Sequence, residues 1–382
     1  MKKTNIFITS LGHFLVHFST MILPSIIILL RDELDVSIFQ LGTLIMVQTM
    51  FMGISGLPSG IFVDRFGIKL ILSIYFFGIF LSSLILYFSN DYLLMYFGMA
   101  LLGLIAGLYH PAGLKLISSS KDISKQMAIH GIFGSLGLAV GPIYGSYFGS
   151  VVDWRLAYLV VGLVSLLGFL LTILFIEEKD ESGHWPNLII NINKNHILIF
   201  SIASLWGLAH HGLFNFLPYY FSQRVNLGID IIIQGGLLTA FILLIGIIGQ
   251  YIGGNLGAKY KRTDLQIWVV GLNIPFLILM GFLFELQLIF IVCILGAINF
   301  MFQPINNSLI ADITDKNSRG LIYGFSFGLS FGIGSLSGYI GGVIAEMFDI
   351  NYIFPILAIF LVPATILAYI LKSNYKNTNL AN

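Results

Sequence analysis

The sequence predicts an all-α membrane protein with twelve transmembrane helices, arranged as two pseudo-symmetric six-helix bundles. Of its 382 residues, 57% are hydrophobic and only 10% are charged, and the mean hydropathy is +0.92. These values exclude an ordinary soluble domain. The charged residues lie at or near the ends of apolar stretches, and the sequence pattern repeats once, about 194 residues further on. Two similar membrane halves in parallel order are typical of a secondary transporter with its substrate site between them.

The internal repeat is visible at individual residues. Leu23-Pro24 recurs as Leu217-Pro218, and His17 recurs as His211. Other matched pairs are Gln40 and Gln234, Gly42 and Gly236, Leu44 and Leu238, Gly60 and Gly254, Gly103 and Gly296, Pro111 and Pro304, Gly131 and Gly324, Gly141 and Gly334, Gly145 and Gly338, and Gly149 and Gly342. The repeat predicts an N-terminal bundle at 1–177, a linker at 178–196 and a C-terminal bundle at 197–382.

Twelve apolar stretches, numbered here as spans 1 to 12, are each long enough to cross a bilayer, which takes about 20 residues. In order they lie at 5–30, 38–62, 68–88, 91–117, 126–150, 154–176, 197–223, 231–256, 265–284, 286–311, 321–347 and 352–372. Span 1 lacks a small-residue cleavage site and has a repeat partner in span 7. We therefore expect it to be retained rather than removed as a signal peptide.

Basic residues predict the orientation of the spans. If the N-terminus is cytoplasmic, only Arg31, Arg155 and Arg224 of the 19 Lys and Arg residues lie on the outer side. This bias predicts cytoplasmic termini and a multi-pass protein of the cell inner membrane. The net charge of +1 gives no reason to expect nucleic acid, and the single cysteine, Cys293, excludes an intrachain disulfide. We expect a monomer without a bound cofactor.

Glycine-rich faces are expected in spans 5 and 11, since small residues let membrane helices approach closely. The glycines concerned are Gly131, Gly134, Gly137, Gly141, Gly145 and Gly149 in span 5, and Gly324, Gly328, Gly332, Gly334, Gly338 and Gly342 in span 11. We expect both faces to pack across the interface between the halves, either as static contacts or as moving ones.

A short loop follows span 2, with the sequence GIFVDRFGIK at 60–69. Gly67 suits a tight turn, and Asp64 suits a contact with a helix N-terminus or a basic group. The loop resembles the signature of the major facilitator superfamily between its second and third helices, with Gly60, Asp64, Arg65, Gly67 and Lys69 matching. The resemblance implies a cytoplasmic latch that gates transport. The second-half copy at 254–261 lacks the acidic position, so any latch is expected to be asymmetric.

Span 5 contains a second motif, GLAVGPIYG. Its Gly137, Gly141, Pro142 and Gly145 resemble the antiporter signature of the same superfamily. The resemblance implies a bent helix that rocks against its neighbour, because proline removes a backbone hydrogen bond. It favours export, although the same residues also suit a kinked packing helix.

A narrower resemblance is to the fosmidomycin-resistance-like transporters of that superfamily. It rests on Gly12-His13 and Pro24 in span 1 and on Tyr-His-Pro-Ala-Gly at 109–113 in span 4. Two features depart from the pattern. No acidic residue lies near His17, and span 4 lacks the arginine that many drug–proton antiporters carry at 99–103.

Histidine is the ionisable residue that the spans contain, since no Asp, Glu, Lys or Arg lies in the middle third of any of them. The histidines in spans are His13, His17, His110, His130, His210 and His211. Histidine changes charge near neutral pH because its unperturbed pKa is about 6.5. We hypothesise that His17 and His211, with His13 and His210 nearby, bind substrate or carry a coupling proton. The alternative is that they are neutral groups that hold helices together.

Neutral polar residues extend this candidate cavity. They are Gln48, Tyr109, Asn215, Gln303, Asn306 and Asn307. Amides orient polar ligands, but they also hydrogen-bond helices to one another.

These observations predict alternating-access transport of a small organic molecule, in its sharper form as proton-coupled export. The absence of buried carboxylates favours a neutral or anionic substrate. Uptake, or uncoupled facilitated diffusion, is the alternative. A metal path is set aside, because cavity carboxylates, thiolates and a Cys/His spacing motif are absent. A membrane enzyme lacks a catalytic motif here, and the repeat and latch loop speak against a channel or receptor.

Overall fold

Within residues 3–118, 123–177, 192–315 and 318–380, which the computed structural model describes, the secondary structure is entirely helical. The helices are α1 (Lys3–Thr20), α2 (Ile22–Ser25), α3 (Ile27–Leu34), α4 (Ile38–Phe66), α5 (Ile68–Tyr87), α6 (Tyr92–Ala106), α7 (Tyr109–Ser118), α8 (Ile123–Val151), α9 (Trp154–Phe175), α10 (Lys194–Arg224), α11 (Ile231–Lys259), α12 (Arg262–Met280), α13 (Glu285–Phe300), α14 (Phe302–Ile313), α15 (Arg319–Gly334), α16 (Leu336–Met347) and α17 (Ile353–Leu380), with a 3-10 turn at Ile350–Tyr352. Most of the predicted linker, at 178–191, lies outside the described residues, and its last residues, from Lys194, already belong to α10.

Eleven helical segments of the described chain are long and apolar enough to cross a membrane. Their outer faces expose large apolar side chains such as Leu174 (72% exposed) and Leu286 (75%), which suits contact with lipid rather than water. The predicted first span is instead divided into α1, α2 and α3. The count of twelve crossings therefore stays a prediction for that segment.

Proline accounts for three of the helix interruptions in the described chain, although the break between α15 and α16 has no proline and Pro142 and Pro218 lie inside continuous helices. The ring of a proline crowds the carbonyl four residues earlier and removes a backbone donor. For Pro24 that carbonyl belongs to Thr20, where α1 ends. For Pro111 it belongs to Gly107, in the break between α6 and α7, and for Pro304 to Phe300, where α13 ends. The last two breaks occupy equivalent positions in the repeat, so each half has one broken helix at the same place.

Polar residues at the membrane surfaces start several helices. The Ser37 hydroxyl accepts the Gln40 backbone N–H, and the Gln40 side chain accepts the Ser37 N–H, which forms a capping box for α4. Asp91 and Asp153 cap α6 and α9 with their carboxylates. Gly67 separates α4 from α5 with a φ of 86°, which is why the predicted tight turn needs glycine there.

The helices pack in the same pairs in both halves. In the first half α1 packs on α8, α4 on α6 and α5 on α9; in the second, α10 packs on α15, α11 on α13 and α12 on α17. Between the halves, α8 packs on α11, and α4 packs on α15 and α16. The two halves thus meet along α8 with α11 and along α4 with α15 and α16, while the division into two bundles stays a prediction.

Glycines set the distance between α4 and its partners in the other half. A Cβ at Gly42 would lie 2.4 Å from the Gly338 carbonyl oxygen, and one at Gly53 would lie 2.5 Å from the Gly332 nitrogen. The two backbones therefore touch directly. Gly328, Gly338 and Gly342 of span 11 thus pack across the interface as expected, whereas Gly334 lies against Gly207 and His211 of its own half.

The corresponding prediction is wrong for the glycines of span 5. A Cβ at Gly137, Gly141 or Gly145 would meet atoms of α1, the Met21 linker or α2, which belong to the same half. The residues of α8 that face the other half are Pro142 and Ser146, which lie against Gly236 of α11. The glycine pattern predicted a close helix–helix contact but not the partner helix, because glycine spacing indicates that another helix packs closely without indicating which one.

The two halves are in contact from the end where α4 begins to at least Leu57 of that helix, where a Cβ at Gly328 would lie 2.4 Å from the leucine side chain. At the end where α4 begins, the Glu346 carboxylate accepts the Ile38 backbone N–H at 3.1 Å, and the Phe39 and Tyr339 ring centres lie 5.2 Å apart. Towards the opposite end of α8 and α11, a Cβ at Gly131 or Gly254 would meet nothing within 4 Å. The interface is therefore closed at the end where α4 begins.

We expect Gly103→Ala to lower the apparent melting temperature of the detergent-solubilised protein. A Cβ at Gly103 would lie 2.0 Å from the Gln48 carbonyl oxygen, and overpacking of this kind costs about 1–3 kcal/mol. Gly131→Ala is the matched control. It should leave the melting temperature unchanged or raise it, because alanine favours helix over glycine. Equal melting temperatures for the two variants would contradict the packing described here.

Candidate functional site

Four histidines of the first half form one group, which we call the N-half histidine cluster: His13, His17, His110 and His130. His13 and His17 lie one turn apart on α1, with ring centres separated by 5.0 Å. His110, the second residue of α7, lies 5.3 Å from each of them by ring centre. His130 on α8 stacks on His13 at 4.0 Å. The Pro111 break thus brings a third helix to the pair on α1.

Hydrogen bonds fix part of this cluster. His13 Nδ1 lies 2.7 Å from the His130 backbone oxygen, which can only accept, so Nδ1 carries the proton. Nε2 of neutral His13 is then free to accept a proton or bind a ligand. Within the described residues, Nε2 of His110 is buried with no hydrogen-bond partner, whereas the His130 ring interacts with the Thr9 backbone. A buried polar atom without a partner is uncommon and costly.

The ring nitrogens of three cluster members converge. One ring nitrogen from each of His13, His17 and His110 lies within 4.8 Å of the other two. Gly134 makes room for this arrangement, since a Cβ there would lie 2.3 Å from the His13 ring. These three residues could hold one metal ion, which the sequence did not indicate because His110 is far from the other two in the chain.

The second half contains a hydrogen-bonded chain from a histidine to the backbone. Its end is the Val269 carbonyl oxygen, which accepts from Asn273 Nδ2 at 2.6 Å. Asn273 Oδ1 accepts from Asn299 Nδ2 at 3.1 Å, and Asn299 Oδ1 lies 2.6 Å from His210 Nδ1. Because the last group can only accept, every donor is determined, and His210 Nδ1 carries its proton. In the neutral ring, Nε2 of His210 is left as a proton acceptor.

His211 points elsewhere on the same helix. Its ring centre lies 5.3 Å from that of His210 and 4.3 Å from that of Phe331 on α15. Phe331 stacks on Phe327 at 4.2 Å, and Phe327 lies 5.4 Å from His110. The two histidine groups are therefore connected through an aromatic pair on one helix. His17 and His211, proposed together from the repeat, belong to separate groups.

The remaining candidates fall into two classes. Gln48, Asn215, Tyr109 and Asn306 are buried, and Gln303 and Asn307 are exposed. Gln48 Nε2 has no partner, whereas the Tyr109 hydroxyl donates to the Thr9 carbonyl. Asn306 accepts from Gln266 at 3.1 Å, and Gln303 accepts from Gln250 at 2.8 Å. Tyr109 and Asn306 thus hold helices together, and of the buried set Gln48 keeps an unpartnered donor.

The residues that sequence reasoning missed are Asn273, Asn299, Phe327 and Phe331. The two asparagines lie in apolar spans, and that isolation was a usable signal. Nothing in the sequence separates the two phenylalanines from the other 31 in the chain.

The loop at 60–69 is held within the first half. Asp64 accepts from Lys115 Nζ at 2.5 Å, which joins the end of α4 to α7, and a Cβ at Gly60 would lie 4.0 Å from Pro111. Both charged side chains are partly exposed, at 47% and 30%. In this conformation the pair braces one half rather than linking two.

A second charged pair braces the second half. Arg262 Nη1 donates to the Asp312 carboxylate at 2.5 Å, joining the start of α12 to the end of α14. The Arg262 Nε also donates to the Gly257 carbonyl at 3.0 Å, in the degraded copy of the loop. The repeat position of Asp64 is occupied by Ala258, so this brace uses other positions than the first.

Comparison with known proteins gives a consistent picture. The sequence profile of the Major Facilitator Superfamily matches residues 9–338. Over 254 residues the chain is 24% identical to a "Probable L-galactonate transporter" of Escherichia coli, an alignment that covers 59% of this chain and 54% of that protein. It is 23% identical over 259 residues to a "Multi-drug resistance efflux pump PmrA homolog" of Lactococcus lactis, covering 64% and 63%.

Among solved structures, the fold matches a bacterial homologue of the human lysosomal transporter Spinster, crystallised in an inward-facing, unoccupied conformation. The TM-score is 0.81 at 14% identity, with 99% of this chain and 98% of that chain covered. At that identity the match concerns the fold alone.

We expect charge reversal to test the two braces. Asp64→Lys or Lys115→Asp alone should lower apparent stability by about 1 kcal/mol or less, since partly exposed pairs contribute little, and the double reversal should restore it. Arg262→Asp with Asp312→Arg should behave in the same way. Thermal unfolding of the single and double variants measures the coupling. Additive losses in the double variants would show that the pairs do not interact.

Proposed function

The chain belongs to the Major Facilitator Superfamily, and from that premise we propose that it exports a small organic solute in exchange for protons. It is a secondary transporter and a multi-pass protein of the cell inner membrane. The proteins it matches in sequence and fold are transporters rather than enzymes. Export, proton coupling and solute class are the proposed part, and the alignments span 54% and 63% of the two sequence relatives named above.

One observation carries the proposal. Two histidine groups, one in each half, are joined by Phe327 and Phe331, and no Asp, Glu, Lys or Arg lies in the middle third of any predicted span. Charge inside a membrane is costly, and ionisable residues there mark substrate or ion paths. Histidine is the group in this region that can take up and release a proton near neutral pH.

We assign the two groups different tasks. The N-half histidine cluster, with three converging ring nitrogens and the buried, unpartnered Nε2 of His110, suits solute binding. His210 and His211 suit proton uptake. The asparagine chain holds His210 Nδ1–H and leaves Nε2 to accept, so protonation needs no rearrangement of the buried amides. Gln48, whose buried Nε2 has no partner among the described residues, is the amide that we assign to orienting a polar solute.

Alternating access follows from the way the halves meet. With the orientation predicted from Lys and Arg, the closed end at Ile38 and Glu346 is the outer end, so this conformation opens inward. The loop of Gly60, Asp64, Arg65, Gly67 and Lys69 would gate the inner end. The segment with Gly137, Gly141, Pro142 and Gly145 would let α8 rock, with its glycines against α1 and α2 and Pro142 against α11.

Uptake is the second candidate. It suits the same site, since that site lacks the carboxylates that bind cationic drugs, and the likeness to a "Probable L-galactonate transporter" supports an anionic solute for either direction. Transport of cations alone would contradict both candidates as to the solute class. We expect a monomer to carry out the cycle.

The sign of a pH effect separates these candidates. In proton exchange, binding of the proton and binding of the solute exclude one another, so a solute should raise the melting temperature more at pH 7.5 than at pH 5.5. In co-transport the solute should raise it more at pH 5.5. Without coupling, the rise in melting temperature should be the same at both pH values. The measurement is a thermal-stabilisation screen of sugar acids, neutral sugars and cationic drugs at both pH values.

His211→Gln should remove the pH dependence seen for any hit in that screen. Its control is His184→Gln, a histidine of the predicted linker, which should keep the dependence of the wild type. A dependence that survives in His211→Gln and His210→Gln alike would contradict the assignment of the proton to this pair.

Cysteine cross-linking tests the inward-open conformation. In a Cys293→Ser background, Phe39→Cys with Tyr339→Cys should be joined by a short thiol cross-linker, and the joined protein should not transport. Gly131→Cys with Gly254→Cys, at the other end of α8 and α11, should remain unlinked in the same conformation. Efficient linking of the second pair alone would reverse the assignment of the closed end.

A further inference from the structure

We propose that His13, His17 and His110 form a binding site for one divalent transition-metal ion of the zinc or nickel type. The proposal deepens the function proposed above, because it names a ligand for the N-half histidine cluster. It depends on neither the direction nor the proton coupling of transport.

The spacing of the rings is that of three ligands around one ion. Their centres form a nearly equilateral triangle with sides of 5.0, 5.3 and 5.3 Å. Three imidazoles bound to Zn²⁺ at about 2.0–2.1 Å in tetrahedral geometry have ring centres about 5 Å apart. The ring nitrogens, now within 4.8 Å of one another, would need to approach to about 3.4 Å in that geometry, which is a shift of about 1.5 Å at most.

The hydrogen bonding of His13 is that of a metal ligand. Metal-bound histidines donate their second ring N–H to a carboxylate, a backbone carbonyl or water, which fixes the tautomer and the ring orientation. His13 donates Nδ1–H to the His130 backbone carbonyl at 2.7 Å, so Nε2 presents its lone pair. The helix that carries His130 thus supplies the supporting contact of the site.

An unpartnered buried nitrogen provides an independent observation. Among the residues that the structure describes, none offers a hydrogen-bond partner to the buried Nε2 of His110. A buried polar atom is costly unless another group satisfies it. An ion bound through Nε2 of His110 would remove this cost.

The donor set selects the class of ion. Three neutral nitrogens do not suit Mg²⁺ or Ca²⁺, which take oxygen ligands, but they suit Zn²⁺, Ni²⁺, Co²⁺ and Cu²⁺. With three protein ligands, a tetrahedral ion keeps one open position. In the part of the chain that the structure describes, no carboxylate joins these three ligands, so an anionic oxygen of a small solute is the donor that best completes the shell.

Zn²⁺ and Co²⁺ binding to the tag-free, full-length protein in detergent tests the proposal. By equilibrium dialysis after chelator treatment, the wild type should bind one Zn²⁺ per chain, and His17→Gln and His110→Gln should each weaken binding at least tenfold. His211→Gln, the repeat equivalent of His17→Gln, should bind as the wild type does. Equal affinity in all four proteins, or no binding below millimolar Zn²⁺, would overturn the proposal.

Replacing one metal-binding residue by another provides a second test, which does not depend on loss of binding in a variant that has failed to fold. His17→Cys should retain Zn²⁺ and, with Co²⁺, add a thiolate-to-cobalt charge-transfer band that the wild type lacks. Failure of that band to appear in a monodisperse protein would contradict ligation at this position. Because binding is measured without transport, the ion site and the export function can fail separately.

Discussion

Inside a bilayer no water reaches the backbone, so every N–H and C=O must find its partner within the protein. This constraint makes the described chain helical throughout and gives each interruption a consequence. A proline removes one donor and forces its helix to stop or yield, as at Thr20, Gly107 and Phe300. The interruption before Pro111 starts a new helix two residues earlier, and its second residue is His110. The helix break before Pro111 therefore places His110 in the histidine cluster.

The same constraint makes glycine valuable. Without a hydrophobic drive between helices in lipid, association depends on close packing, and direct backbone contact requires that no Cβ intervene. Gly42 and Gly338 meet in this way across the two halves, whereas Gly137 meets the backbone of Phe14 within one half. One interface can part while the other persists, because only the first lies between bodies that move relative to one another in the proposed cycle.

Sequence alone supports the fold class, the superfamily and the correspondence between the spans of the two halves. Hydropathy and an internal repeat can both be recognised directly in the order of the residues. It supports the site less well. The repeat suggests that His17 and His211 act together, but repeat-equivalent residues occupy matching places in separate halves and need not be in contact. His17 lies beside His13 and His110. His211 lies beside His210 and Phe331. Convergence of side chains from α1 and α7 depends on the Pro111 break, and no periodicity reports it.

The two braces show where two similar halves differ. Asp64 with Lys115 joins α4 to α7, whereas Arg262 with Asp312 joins α12 to α14. Because α4 corresponds to α11 in the repeat, the two pairs connect different helices. A chimera with two copies of the first-half loop would place isoleucine at position 262 and so remove the guanidinium that Asp312 now contacts. The two bundles share a plan but are not interchangeable parts.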